Sequence, residues 1–371
     1  MTAARLTRWP AAACGLLLFS LVAGCGSRTP PAVPTPVEAA GTAEGDEPPQ
    51  VLSAYGFFRG NGSTQEPADG VVPYDVNTPL FSDYALKYRF VRLPAGAKAH
   101  YRDPEAFDFP VGTTLIKTFA FARDERDPSR GRQLIETRLL VHKPEGWVGL
   151  PYVWNDEQTE ATLRIAGVSC DVHRVTADGK EFTQRYSVPN MNQCMGCHEN
   201  NKVMKPIGPT ARGLNRKFDY ADGPDNQLAH WEKAGILEGC PGPERAPRMA
   251  VWKDPSTGSV DVRARAWLEA NCAHCHNPEG PARTSGLDLR YVQTDWAKSG
   301  VWKTPVAAGR GSGKFFYDIV PGQPDKSILI YRIESMEPGI MMPELGRRQV
   351  DRPGVALVRE WIASMPDPRA Q

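Results

Sequence analysis

Two copies of one short pattern constrain this chain more than any other feature: Cys194-Met195-Gly196-Cys197-His198 and Cys272-Ala273-His274-Cys275-His276. Both read Cys-x-x-Cys-His. With 8 Cys and 7 His in 371 residues, one chance match has an expectation of roughly 0.003. The pattern suits covalent haem attachment. Two thiols add to the two vinyl groups of one porphyrin, two intervening residues set their separation, and the adjacent histidine lies under the iron. Paired Cys-x-x-Cys motifs also build four-cysteine zinc sites, thioredoxin-like redox pairs or plain disulfides. None of these needs a histidine directly after the second cysteine. The reading adopted is two covalently attached haem c groups, with Cys194, Cys197, Cys272 and Cys275 as attachment points and His198 and His276 as proximal iron ligands.

The N-terminus reads as a targeting segment. Arg5 and Arg8 precede an apolar run over 11–23 that is short for a bilayer span. Leu21-Val22-Ala23-Gly24-Cys25 resembles the bacterial lipobox. The resemblance implies a signal peptide over 1–24, lipidation of Cys25 and an exported, periplasm-facing envelope lipoprotein. Gly26, rather than Asp, after the cysteine is the pattern associated with the outer membrane. Residues 25–50 are rich in Pro, Ala, Thr, Gly and Glu and lack apolar periodicity, as expected of a solvated tether. With Cys14 in the signal peptide, Cys170 and Cys240 remain. An oxidising compartment favours a disulfide between them; two separate buried thiols is the alternative.

A net charge of +1 leaves no broad basic footprint for nucleic acid. The 34 Gly and 34 Pro predict many turns. Residues 51–185 read as mostly β, with strands expected over 86–93, 113–121, 135–141, 147–154, 161–165 and 168–175. A sandwich or barrel-like domain is expected there. Strands then give way to loops and short helices around the first motif (186–258), including a helix over 226–237. The 259–371 segment reads as a small cytochrome c domain. One helix carrying Val262, Ala266, Trp267 and Ala270 leads into Cys272, and a terminal helix covers 355–365. The expected class is therefore multidomain α+β, an all-β domain followed by mostly α-helical haem domains.

The stretch Pro338-Gly339-Ile340-Met341-Met342-Pro343 resembles the Met-Pro distal loop of cytochromes c. Met342 is the distal ligand this implies for the second haem, with Met341 as the alternative. His/Met ligation raises the reduction potential relative to bis-His. Pro321-Gly322-Gln323-Pro324-Asp325-Lys326-Ser327 resembles a structural turn of bacterial haem c domains. The first haem's distal ligand stays open among Met204, Met191, Met249, His142, His173 and His230, or an open iron. His274 is expected to face solvent or the propionate side.

From about residue 53 to 365 the chain resembles a family of bacterial dihaem cytochrome c proteins often encoded beside parallel β-helix repeat proteins. The resemblance rests on Asn77-Thr78-Pro79-Leu80-Phe81-Ser82-Asp83-Tyr84, Tyr152-Val153-Trp154-Asn155-Asp156-Glu157, Pro189-Asn190-Met191-Asn192-Gln193-Cys194, Pro206-Ile207-Gly208-Pro209 and Arg263-Ala264-Arg265-Ala266-Trp267-Leu268. It implies haem binding and electron transfer with a redox protein donor and acceptor, a lipid anchor in the membrane and a β-helix repeat protein as a further partner. Two other readings stand beside the electron carrier. One is a dihaem peroxidase or small-molecule dehydrogenase with one open iron. The other is a partner-binding protein with redox-sensing haems.

Overall fold

Alternating side chains explain the main sheet. The structure is a computed structural model that describes residues 47–306 and 309–369. They belong to one compact unit spanning 39–371. The expected signal peptide (1–24), Cys25 and most of the expected tether (25–50) lie outside the described residues. In chain order the first strands are β1 (Val71–Tyr74), β2 (Leu86–Arg92), β3 (Ala99–His100), β4 (Thr114–Ala122), β5 (Arg132–Lys143), β6 (Gly146–Trp154) and β7 (Ala161–Leu163). All but β3 form one antiparallel sheet in the order β1-β2-β4-β5-β6-β7. Phe90, Ile116, Leu139 and Leu150 stand in register across it and point to one face. There they join Tyr152, Trp154 and the N-terminal Leu52 and Phe57 in a core. The next residues along, Val91, Leu115 and Leu140, point to the opposite face, as a period of two requires.

That second face holds the site together. Val91, Leu115 and Leu140 share a core with Trp231, Leu228, Leu214, Met204 and the partly buried Cys194. Residues 168–238 supply the covering pieces: the hairpin β8 (Val168–Val175) and β9 (Glu181–Val188), α1 (Met191–His198), the ribbon β10 (Glu199–Asn200) and β11 (Val203–Met204), α2 (Ala211–Leu214), the ribbon β12 (Lys217–Tyr220) and β13 (Gly223–Asn226), α3 (Gln227–Lys233) and β14 (Leu237–Glu238). β14 pairs with β3 in parallel, tying this stretch back to the strand region.

The C-terminal stretch contains α4 (Val260–Leu268), α5 (Ile328–Glu334) and α6 (Arg352–Ser364). Two tryptophans pin α4 and α6 reciprocally. Trp267 Nε1 donates to Asp351, the N-cap of α6, at 2.8 Å, and Trp361 Nε1 donates to Asp261 in the first turn of α4 at 2.8 Å. Gly354 permits the approach: a Cβ there would fall 2.2 Å from Trp267 Nε1. The Pro321–Ser327 turn is structural. Ser327 Oγ accepts from the Val320 amide at 2.9 Å and donates to the Gln323 carbonyl at 3.1 Å.

The expected class needs correction. The molecule is β-rich, and the sheet is open at β1 and β7 rather than a barrel. The haem-motif segments are not mostly α-helical: the six α-helices among the described residues run from 4 to 13 residues. Only α6 carries an apolar stripe over three turns, and prolines and left-handed glycines cut the rest of 259–369 into loops and single turns. The helix expected over 226–237 ends at Lys233 and turns into β14. No helix among the described residues is long and apolar enough to cross a membrane.

One strap joins these parts. Asn77 Nδ2 donates to the Arg212 carbonyl, Thr78 Oγ1 to the Ala250 carbonyl, and the Phe81 amide to Asn271 Oδ1, directly before the second motif. The buried Asp83 carboxylate accepts from the Arg348 and Gln349 amides at 2.7 and 2.8 Å. Asp83→Ala leaves both amides without their acceptor, so we expect a loss of about 3 kcal/mol of stability. Urea unfolding of the two chains checks this; an unchanged midpoint would show that the strap is decorative.

Candidate functional site

The first motif is delivered by a capped helix. Asn190 Oδ1 accepts from the Gln193 amide at 2.8 Å and Gln193 Oε1 accepts from the Asn190 amide at 2.9 Å, a capping box that starts α1 three residues before Cys194. The helix lies on β6 at Gly149. A Cβ at that glycine would sit 3.0 Å from Cys194 Cβ and 3.1 Å from its Sγ, so a bulkier residue would push the motif off the sheet. The second motif leaves α4 through one widened π-turn, Glu269–Ala273, a form that recurs at functional positions. Asn271 Nδ2 bonds the Trp267 carbonyl at 2.9 Å and Asn277 Nδ2 the Ala273 carbonyl at 2.8 Å, bracketing it.

Both motif histidines are oriented in the same sense. His198 Nδ1 lies 3.0 Å from the Lys205 carbonyl. A carbonyl only accepts, so Nδ1 carries the proton and Nε2 of the neutral ring keeps its lone pair. His276 Nδ1 lies 3.0 Å from Ser285 Oγ, whose own hydrogen goes to the Ala282 carbonyl at 2.7 Å. The hydroxyl therefore accepts from His276, and Nε2 is again the free base. Burial, followed by nearby Arg332 and Lys303, lowers the His276 pKa to about 4; burial, with Lys117 and Arg138 adding to it, does the same to His198. Both rings are neutral at physiological pH, as metal ligands must be. Burial raises the Cys272 and Cys275 thiols to about 12.

A basic row runs across the sheet beside the first motif. Arg89, Lys117 and Arg138 are register partners on β2, β4 and β5, on the face that carries Leu115 and Leu140. Arg89 pairs with Asp75 at 2.7 Å, and Arg138 with the fully buried Glu136 at 2.6 Å. Lys117 has no hydrogen bond or ion pair among the described residues; its ammonium lies 4.9 Å from the Phe119 ring centroid. Burial, then the positive Arg89, Lys87 and Arg138, pushes its pKa well below the usual lysine value. Its charge bears on Cys197, His198 and His274.

Met342 packs against the core that contains Cys272, Trp267 and Leu268. Its carbonyl accepts from Arg347 Nε at 3.1 Å and Nη2 at 2.8 Å, and its amide donates to the Arg332 carbonyl at 3.0 Å. Met341 is partly buried outside that cluster. Met204 is buried in the core shared with Cys194, on the sheet side of the first motif. Met249 is buried against Ala266, and Met191 packs beside the opposite core. His142 stacks on Trp147 and bonds the Phe109 carbonyl; His173 is exposed and bonds Thr183. His230 stacks on Tyr220 in a cleft of about 830 Å³ that holds neither motif.

His274 departs from expectation. Its Nδ1 is buried without a partner, and the ring lies within electrostatic reach of both His198 and His276. The residue as a whole stays partly exposed, so only this nitrogen is withdrawn from solvent. Cys170 and Cys240 are free thiols in different clusters, one beside Tyr186 and one beside Leu237, so the expected disulfide is not formed.

The donor set fits haem c. Each site offers two thiols and one imidazole with a free Nε2, while the porphyrin itself supplies four of the iron's ligands. Among the described residues no three His, Cys, Asp or Glu side chains converge as a group that could hold a metal ion by themselves. Searches against protein-family models, curated proteins and solved structures return no match.

Lys87, next to this row, has its pKa lowered to about 7 by burial and then by Arg89 and Arg138. Between that value and the unfolded lysine value the unfolded chain binds more protons, so stability rises with pH across that window. Lys87→Met is expected to make the rise between pH 7 and 9.5 shallower, as measured by urea midpoints. An equally steep rise in the variant would remove Lys87 from the account.

Proposed function

We propose that the chain is a dihaem c-type cytochrome that carries single electrons in the bacterial cell envelope, held to the membrane by lipid on Cys25. The observation that carries this reading is the shared orientation of His198 and His276, each with Nδ1 engaged and Nε2 free beside a Cys-x-x-Cys pair. Bound haem supplies a one-electron ferric–ferrous couple; the chain fixes its place and surroundings.

Cys194, which lies against Gly149 of the sheet, and Cys197 would hold the first group, and Cys272, which packs in the α4–α6 core, and Cys275 would hold the second. The Lys205 carbonyl and Ser285 Oγ hold the proximal rings at Nδ1 and strengthen Nε2 as a donor. Met342 would supply the remaining protein ligand to the second iron, and its backbone is held by Arg347 and Arg332. A redox protein acts as donor and another as acceptor, with a β-helix repeat protein as a further partner.

A second reading, a redox enzyme with an open first iron, draws on Lys117. A half-buried lysine with no hydrogen bond or ion pair among the described residues, lying near His198, is the kind of group that an anionic substrate would hold in its charged form.

Pyridine haemochrome analysis of the purified protein is expected to give two covalent haems per chain, and one in either Cys194→Ser or Cys272→Ser. Met342→Ala should abolish the weak far-red band of oxidised Met-ligated haem and lower one of the two potentials while leaving the other near its original value. Absence of covalent haem would end the proposal. Cyanide or peroxide binding to one high-spin iron in the unaltered protein would replace the carrier with the enzyme.

A further inference from the structure

The two motifs are far apart in sequence and touch in space. Cys275 Sγ lies 3.7 Å from the Gly196 carbonyl, in the middle of the first motif. The segments that follow each motif are also joined. The Asn201 amide donates to the Glu279 carbonyl at 2.8 Å, and Arg283 approaches Glu199 at 3.7 Å. A lone sulfur contact could be incidental, but here a thiol, a backbone hydrogen bond and an ion pair join the same two segments in succession.

Sulfur is the point of attachment, so these contacts fix more than the loops. The vinyl-derived edge bonded to Cys275 begins one bond from an atom in contact with the first motif. The edge bonded to Cys197 begins at the residue next to that contact. Gly196 also lies against the segment after Met342: a Cβ there would fall 3.3 Å from Leu345 Cδ1.

We infer that the two attachment motifs form one joint site, in which the two haems are placed side by side and exchange an electron directly. This rests on the haem reading above and goes beyond it, because two attachment motifs alone are equally compatible with two independent centres. The exchange is balanced within the chain: one iron is oxidised by one electron as the other is reduced by one, and no outside reagent is needed. Each site then feels the oxidation state of the other, since its net charge changes beside a buried, weakly screened neighbour.

The test uses the full haem-loaded protein. Low-temperature EPR spectra are recorded fully oxidised and after reduction by one electron per chain, with the haem count measured on the same sample. Interacting spins are expected. The oxidised spectrum should be broadened relative to the sum of two isolated low-spin centres, and the signal left after one-electron reduction should be narrower. The doubly substituted Cys272→Ser/Cys275→Ser chain should give that narrow signal without any reduction. The unaltered protein decides the matter even where this variant fails to fold. Two haems with strictly additive spectra would overturn the joint site and leave the cytochrome reading intact. No covalent haem would overturn both.

Discussion

The carboxylate of Asp83 is the joint on which the site depends. It is buried, yet both its acceptor bonds go to backbone amides at the far end of the chain, Arg348 and Gln349. Those residues follow Arg347, whose guanidinium holds the carbonyls of Met342, Ser335 and Gln349. Six residues earlier the same strap holds Asn77 on α2, and in between Phe81 holds Asn271 at the threshold of the second motif. A short segment between β1 and β2 therefore sets the sheet, the second motif and the Met342 loop relative to one another. Buried backbone donors must find partners, and the strap supplies them across sequence separations that loop entropy alone would leave open.

The charged row across the sheet is poorly explained by stability. Glu136 is fully buried and takes a bidentate grip from Arg138, at 2.6 and 2.8 Å, and a hydrogen bond from Tyr186 at 2.6 Å. Burial, with Glu136 beside it, keeps the tyrosine protonated and therefore a donor. Buried ion pairs are often no better than apolar residues of similar volume, although breaking one leaves a costly bare charge. Their gain here is orientation. Tyr186 fixes the β8–β9 hairpin, which leads into Asn190 and the cap of α1, and Arg138 fixes the basic face that the first motif meets.

Much of this was written locally. The two pentapeptides, the alternation of 86–93 and 113–121, the capped helix before Cys272 and the terminal helix follow from spacing and punctuation. The helical expectation for 186–371 does not hold because a Cys-x-x-Cys-His motif fixes a local turn and not the secondary structure around it. The residues themselves, with Gly and Pro recurring through the segment, support only short helices. Lys117 was visible as the one charge inside Thr-Leu-Ile-Lys-Thr-Phe-Ala-Phe-Ala, but its neighbours Arg89 and Arg138 are set by strand register. His274 is expected to face solvent or the propionate side; that its Nδ1 is buried near His198 depends on segments distant in sequence, which no local pattern reveals.

The proximal histidines show the same division at the scale of a single bond. Both are held at Nδ1 by a partner a few residues downstream, at Lys205 and at Ser285. In the first site the acceptor is a backbone carbonyl, present whatever side chain residue 205 carries, so the sequence holds no trace of it and substitution there leaves it in place. In the second site the acceptor is a hydroxyl, kept in the accepting orientation because its own proton is committed to Ala282. That bond can be removed by changing one residue. The two motifs thus share one local device, but only in the second can the hydrogen bond to the histidine be removed by point substitution without moving the backbone.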